Sequence, residues 1–145
     1  MSDPVNMVQL VRSLPSRPRG RACIVLTHDY EGQKEWAAEL ARQTESGHLD
    51  LRELFSEDAE LSKRISQFLI PRLFEFLKGY DKAPVLIVSG IEFLKATWSG
   101  QTNSVEQFAT HVETWNQKPC LLFVLQYDKT IATREFRRYP QYTFV

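Results

Sequence analysis

Cysteine, net charge and long apolar runs are all scarce in this 145-residue chain. Its two cysteines, Cys23 and Cys120, each open a short apolar run. Two are too few for a disulfide framework or a Cys-rich zinc site, so both are expected to be small core residues. The 18 Lys and Arg balance the 18 Asp and Glu. No global field therefore exists to grip nucleic acid or anionic lipid, and any such binding needs a local patch. The longest apolar runs, Val85 to Val88 and Cys120 to Leu125, fall far short of the ~20 residues that cross a bilayer. With no signal-peptide h-region at the N-terminus either, a cytoplasmic chain is expected. The length suits one domain spanning 1–145.

What is present alternates between helical and strand patterns. Met7, Leu10, Val11 and Leu14 stand at helical spacing after Ser2-Asp3-Pro4, and the Pro- and Arg-rich stretch to Arg21 ends that first helix. Ala22 to Thr27 is a continuous apolar run, read as a strand covered on both faces. After a polar turn at His28 to Gly32, Trp36, Ala37, Leu40 and Ala41 share one face of a helix from Gln33 to Glu45, stopped by Gly47. His48 to Arg52 reads as a short strand. Ser56 and the acids after it then open a long helix, with a kink near Ile70 imposed by Pro71. Pro84 to Ser89 is a second two-sided strand. Ser104 starts a helix bearing Val105, Phe108, Ala109, Val112 and Trp115 on one face, and Cys120 to Gln126 is the strongest strand signal. A basic segment, Lys129 to Arg138, and a short strand, Gln141 to Val145, close the chain. This order predicts an α/β fold, a three-layer sandwich with a mostly parallel central sheet of about five strands.

In such folds ligands bind at the carboxyl ends of strands, which directs attention to the turns after the first and third strands. A phosphate-binding loop needs glycines so that backbone N–H groups can curl around phosphates, then a lysine, then a hydroxyl for magnesium. The chain reads His28-Asp29-Tyr30-Glu31-Gly32-Gln33-Lys34-Glu35. Aligned on Lys34, His28 and Gln33 replace the glycines and Glu35 replaces the hydroxyl. Asp29, Glu31 and Glu35 would repel a triphosphate there. Two readings stand side by side: Lys34 still contacts phosphate while the acids hold a metal, or this is a solvated turn whose acids favour a helix N-terminus.

The other turn lacks the strand-tip aspartate that magnesium needs in phosphoryl-transfer sites, because Ser89 stands in its place. Glu92 alone remains as a general base. His28, His48 and His111 are too scattered for a zinc site. Ser89-Gly90 lacks the frame of a nucleophile elbow, and Asp50-Leu-Arg52 lacks the lysine of a nuclease pair. No catalytic or metal-ligating residue is therefore assigned. Near the C-terminus, Lys129, Arg134, Arg137 and Arg138 are interleaved with Tyr127, Tyr139 and Tyr142. These residues suit phosphates and bases, a partner surface, or a solvated rim with tyrosines packed on the sheet. Arg12, Arg17, Arg19 and Arg21 extend this patch if the two ends of the chain meet.

The layout resembles the small P-loop proteins called BrxF of bacteriophage-exclusion (BREX) defence systems. The likeness covers most of the chain and is carried by the first strand leading to the phosphate turn, by Ile91-Glu92-Phe93-Leu94 after the third strand, and by Arg134-Glu-Phe-Arg-Arg-Tyr-Pro140 before the last. It implies a P-loop NTPase-like scaffold and a defence or DNA-linked setting. Of the nucleotide motifs only Lys34 and Glu92 match. The expectation is a non-catalytic accessory subunit without cofactor, docking on a larger assembly of ATPase, nuclease or methyltransferase components through Arg134, Arg137, Arg138 and Tyr139. Trp98, Trp115 and Tyr142 are further anchors if exposed. Two alternatives follow: an ATP- and magnesium-binding subunit using Lys34, with its site completed in trans by a partner or by homo-oligomerisation, or direct nucleic-acid binding by the basic segment.

Overall fold

The computed structural model describes residues 7–17, 21–27, 32–63, 70–80, 83–92, 104–126 and 142–143. Helix α1 (Met7–Ser13) runs through a 3-10 turn into strand β1 (Ala22–Thr27), followed by α2 (Gln33–Thr44) and β2 (Gly47–Asp50). Three short helices come next: α3 (Leu51–Glu57), α4 (Ala59–Lys63) and α5 (Ile70–Leu77). Strand β3 (Val85–Ser89), α6 (Ser104–Thr114), β4 (Cys120–Gln126) and β5 (Tyr142–Thr143) complete the described elements.

The strands form one sheet in the order β2-β3-β4-β1-β5, and every ladder is parallel. The chain leaves β1 for the far edge at β2 and then returns one strand at a time through β3 and β4. Right-handed crossovers in two opposite directions must place their helices on opposite faces. The packing follows this rule. Cys23, Val25, Ile87, Leu122 and Val124 face α1 and α2, whereas Ile24, Val88, Leu121, Phe123 and Leu125 face α3, α5 and α6. The central strands alternate between two buried faces, which is why β1, β3 and β4 read as unbroken apolar runs. Each aliphatic side chain fully buried this way stabilises the fold by about 1.5–3 kcal/mol. The expected three-layer α/β sandwich is what is found, and among the described residues no helix is long and apolar enough to cross a membrane.

Both cysteines are free and buried, as expected. Burial pushes the Cys23 thiol up to about 12, against the opposing pull of Arg17, and burial also raises Cys120. Trp115 is likewise a core residue, its indole N–H donating to the Pro119 carbonyl at 2.9 Å. Trp98 and the side chain of Tyr142 lie outside the described residues.

Several boundaries differ from the sequence reading. Residue 47 does not stop α2; Glu45 does so in a left-handed conformation (φ 56°), and Gly47 is already the first residue of β2. Nor does Ser56 open the next helix. Asp50 does, since its Oδ1 accepts the Glu53 amide at 2.9 Å as an N-cap, so α3 starts at Leu51 and takes residues assigned to the strand. The long helix is broken at Asp58, which is extended and itself accepts the amides of Glu60 and Leu61. The kink expected near Ile70 borders residues 64–69, which lie outside the described residues; Pro71 is the second residue of α5, where a missing N–H costs nothing.

Candidate functional site

The reversal of chain direction around β1 and β4 marks where an open parallel sheet offers a crevice at its carboxyl end. At that end of the sheet, side chains of the protein itself tie the described elements together. Gln33 is the first residue of α2, 3% exposed. Its amide reaches across to the turn after β3: Nε2 donates to Glu92 Oε1 at 2.9 Å, and Oε1 accepts the Gly90 amide at 3.1 Å. One end faces a carboxylate and the other an N–H, so the amide orientation is unambiguous. Glu92 Oε1 also accepts the amide of Gln126, the last residue of β4, at 2.6 Å. One glutamine and one glutamate thus bolt together the ends of β3 and β4 and the start of α2. The second oxygen, Glu92 Oε2, is buried with no hydrogen-bond partner among the described residues.

Beside this bolt lies a second polar chain, on the α2 face of the sheet. Asp50 and Ser89 are register partners at the tips of β2 and β3, and His48 lies two residues back on the same face as Asp50. The Ser89 hydroxyl, fully buried, donates to Asp50 Oδ2 at 2.8 Å, and His48 Nε2 lies 2.9 Å from the same Oγ. Because the serine hydrogen is committed to Asp50, His48 must donate, which fixes a proton on Nε2. The three residues of a hydrolytic triad are present in the wrong wiring: the carboxylate accepts from the serine instead of orienting the histidine, and the serine is inaccessible. Ser89 is a structural hydroxyl that holds Asp50 in place as the α3 cap.

Desolvation lowers the His48 pKa from its usual range, opposed by Asp50 and Glu53. A histidine whose folded pKa lies below its unfolded value binds protons more readily once unfolded. Its contribution is therefore present above the unfolded value of about 6.5 and is lost as pH falls toward the folded one. Urea melts of the wild type should show stability declining below about pH 6.5, with His48→Gln flattening that part of the profile.

A cleft of about 650 Å³ opens in front of both chains, lined by the α2 N-terminus (Gly32 to Glu35) and by Asp50, Arg52, Glu53 and Ser56. Lys34 does not stand free in it. Its ammonium forms an ion pair with Glu53, both side chains about half exposed, and the hydrogen bond to Glu53 raises the lysine pKa, helped by the charges of Glu53, Asp50 and Glu35. Against Lys34 and Arg52 the lining sets three carboxylates, Glu35, Asp50 and Glu53. A helix N-terminus ordinarily attracts anions, but here one excess negative charge faces it.

These residues do not fit a magnesium nucleotide. The second glycine position holds a buried, doubly hydrogen-bonded Gln33, the lysine is neutralised, Glu35 replaces the hydroxyl, and Ser89 is sealed against Asp50. Among the described residues no three of His, Cys, Asp and Glu cluster as metal ligands. His28, Asp29 and Glu31 lie outside the described residues, as do Arg134, Arg137, Arg138 and Tyr139. His111 is placed by α6, stacked on Phe74 at 5.0 Å and bonded to the Gln107 carbonyl. No protein-family model matches the chain, and no curated protein does either.

Sequence reasoning located Lys34 and Ser89 but missed what surrounds them. Asp50 carried a readable signal, since Asp50-Leu-Arg-Glu53 has capping spacing before an apolar residue. Gln33 carried none: its partners lie 57 and 59 residues away.

Proposed function

We propose that this chain is a non-catalytic accessory subunit, built on a P-loop NTPase-like sandwich whose phosphate site has been converted into internal structure. The reading rests on the Gln33–Glu92–Gln126 bolt, which ties the start of α2 to the carboxyl ends of β3 and β4 where the fold would hold a ligand. Two further features support it. The lysine that should neutralise phosphate is already neutralised by Glu53, and the cleft around it carries an excess of acid. An ammonium already paired with a carboxylate must give up or share that partner to serve a triphosphate.

On the resemblance described above, the assembly it serves is a larger one of ATPase, nuclease or methyltransferase components in antiphage defence. The docking residues are then Arg134, Arg137, Arg138 and Tyr139, residue types that dominate interface energetics. An assembly reconstituted with an Arg134→Ala/Arg137→Ala/Arg138→Ala chain should lose this subunit while the chain itself stays folded.

The decisive measurement is a thermal-shift titration with ATP and magnesium. A nucleotide at 100 times its Kd would add about 2.7 kcal/mol to stability. The expected result is no shift for the isolated wild type and none for Lys34→Ala. A shift that Lys34→Ala removes would establish the nucleotide-binding alternative.

A further inference from the structure

The opposite end of the sheet carries a cleft of reversed character. At the amino ends of β1, β3 and β4, a cavity of about 650 Å³ is lined by Arg21 and Lys118 together with Pro15, Pro84, Pro119 and Cys120. Its cations come from chain segments almost a hundred residues apart. Backbone hydrogen bonds hold them at the rim: the Arg21 amide donates to the Trp115 carbonyl at 2.9 Å, the Arg21 carbonyl accepts the Leu121 amide at 3.0 Å, and the Cys120 amide donates to the Pro84 carbonyl at 3.0 Å. The Arg21 guanidinium is itself anchored, since its Nε donates to the Arg17 carbonyl at 2.6 Å. Arg17 stands behind, close enough for its charge and that of Arg21 to be felt at the Cys120 thiol.

No acidic residue lines this cavity among the described residues, and neither Arg21 nor Lys118 forms an ion pair among them. Two cations in a concave site, with no counter-charge among the described residues, raise the local concentration of anions. We propose that this cleft binds the phosphate group of a small ligand. Charge selects phosphate over carboxylate: a phosphate monoester carries about −1.5 to −2 at pH 7 and matches two cations, whereas a carboxylate leaves one uncompensated. The donor types agree, because a guanidinium and an ammonium on a second segment can engage different oxygens of one tetrahedral group. Volume selects a small ligand, since pockets for such molecules span about 300–1,000 Å³. The three prolines fix the rim, so little entropy is lost on binding, and they give the rest of the ligand an apolar wall.

The test is independent of the reading at the carboxyl end. Inorganic phosphate, titrated into the full chain at constant ionic strength against chloride, should raise the melting temperature beyond the chloride control. Lys118→Gln, an exposed change that leaves the fold intact, should weaken phosphate binding about tenfold or more, and Arg21→Gln at least as much. Lys34→Gln, in the other cleft, should leave it unchanged. Equal shifts with chloride, a phosphate effect surviving Lys118→Gln, or one abolished by Lys34→Gln would each overturn the proposal. An oligonucleotide binding far more tightly than phosphate, with loss in the same variants, would replace the small ligand by a nucleic-acid backbone.

Discussion

Phe123→Ala should lower unfolding free energy by about 3–5 kcal/mol, the usual cost of deleting a buried aromatic ring. Phe123 lies in the middle of β4, a central strand, with no exposed surface. Its ring meets Phe108 of α6 edge-on at 5.0 Å and Phe74 of α5 at 5.6 Å. Those two rings also touch each other at 5.8 Å, so three elements converge on one aromatic cluster. Removing the central ring leaves a cavity that neither helix can fill alone, because each is also tied to the sheet by other buried side chains. Set against the 5–15 kcal/mol that ordinarily separates folded from unfolded chains, the loss is large. Denaturant melts give the number directly. A Phe74→Ala/Phe123→Ala cycle should return a coupling of about 0.5–1.5 kcal/mol for the ring pair, and strict additivity would deny the cluster its role.

The same cluster explains which parts of the fold the sequence made legible. A strand buried on two faces must be apolar at every position, so β1, β3 and β4 announce themselves, and β4 was read to the residue. Helices with one buried stripe, such as α2, carry the 3.6 period just as plainly. Edge strand β2 has no such constraint. Gly47-His-Leu-Asp50 buries Leu49 alone, and its end is set by where Asp50 caps α3, a competition between strand and helix decided by one hydrogen bond. The break at Asp58 has the same origin, a short side chain that captures two amides ahead of it.

The candidate site divides along similar lines. Lys34 and its acidic surroundings follow from local order, because the turn and the first helical residues are contiguous. Glu53 as the lysine's partner, Asp50 as the serine's and Glu92 as the glutamine's all depend on the strand order. Until β2 is known to pair with β3, nothing in the sequence brings Asp50 beside Ser89. Topology therefore decides which side chains meet at the cleft. The acids seen in the sequence beside Lys34 leave repulsion, a metal or a helix N-terminus open, whereas the assembled fold adds the Gln33 side chain that bridges to Glu92.

Gly90→Ala should destabilise the protein by about 2–4 kcal/mol, well beyond the effect of the same change at Gly32. Both glycines have positive φ, 73° and 82°. Forcing an L-residue into that region costs about 1–2 kcal/mol at either position. Around Gly32 an added Cβ meets nothing within 4 Å among the described residues, so the conformational term is the expected effect. At Gly90 the added carbon would stand 2.8 Å from Asp50 Oδ1 and 3.0 Å from the Arg52 amide, closer than Cβ atoms approach. The Asp50 carboxylate must then swing away, and it cannot do so without releasing the Glu53 amide that it caps, worth about 0.5–2 kcal/mol, and disturbing its bond to buried Ser89. The Gly90 amide, bonded to Gln33, is dragged along with the turn. Parallel urea melts of Gly90→Ala, Gly32→Ala and Asp50→Ala separate these contributions. If Asp50 is the group displaced, alanine at 90 in the Asp50→Ala background should cost little more than alanine at 32 does in the wild type. A full additive penalty would place the collision elsewhere in the turn.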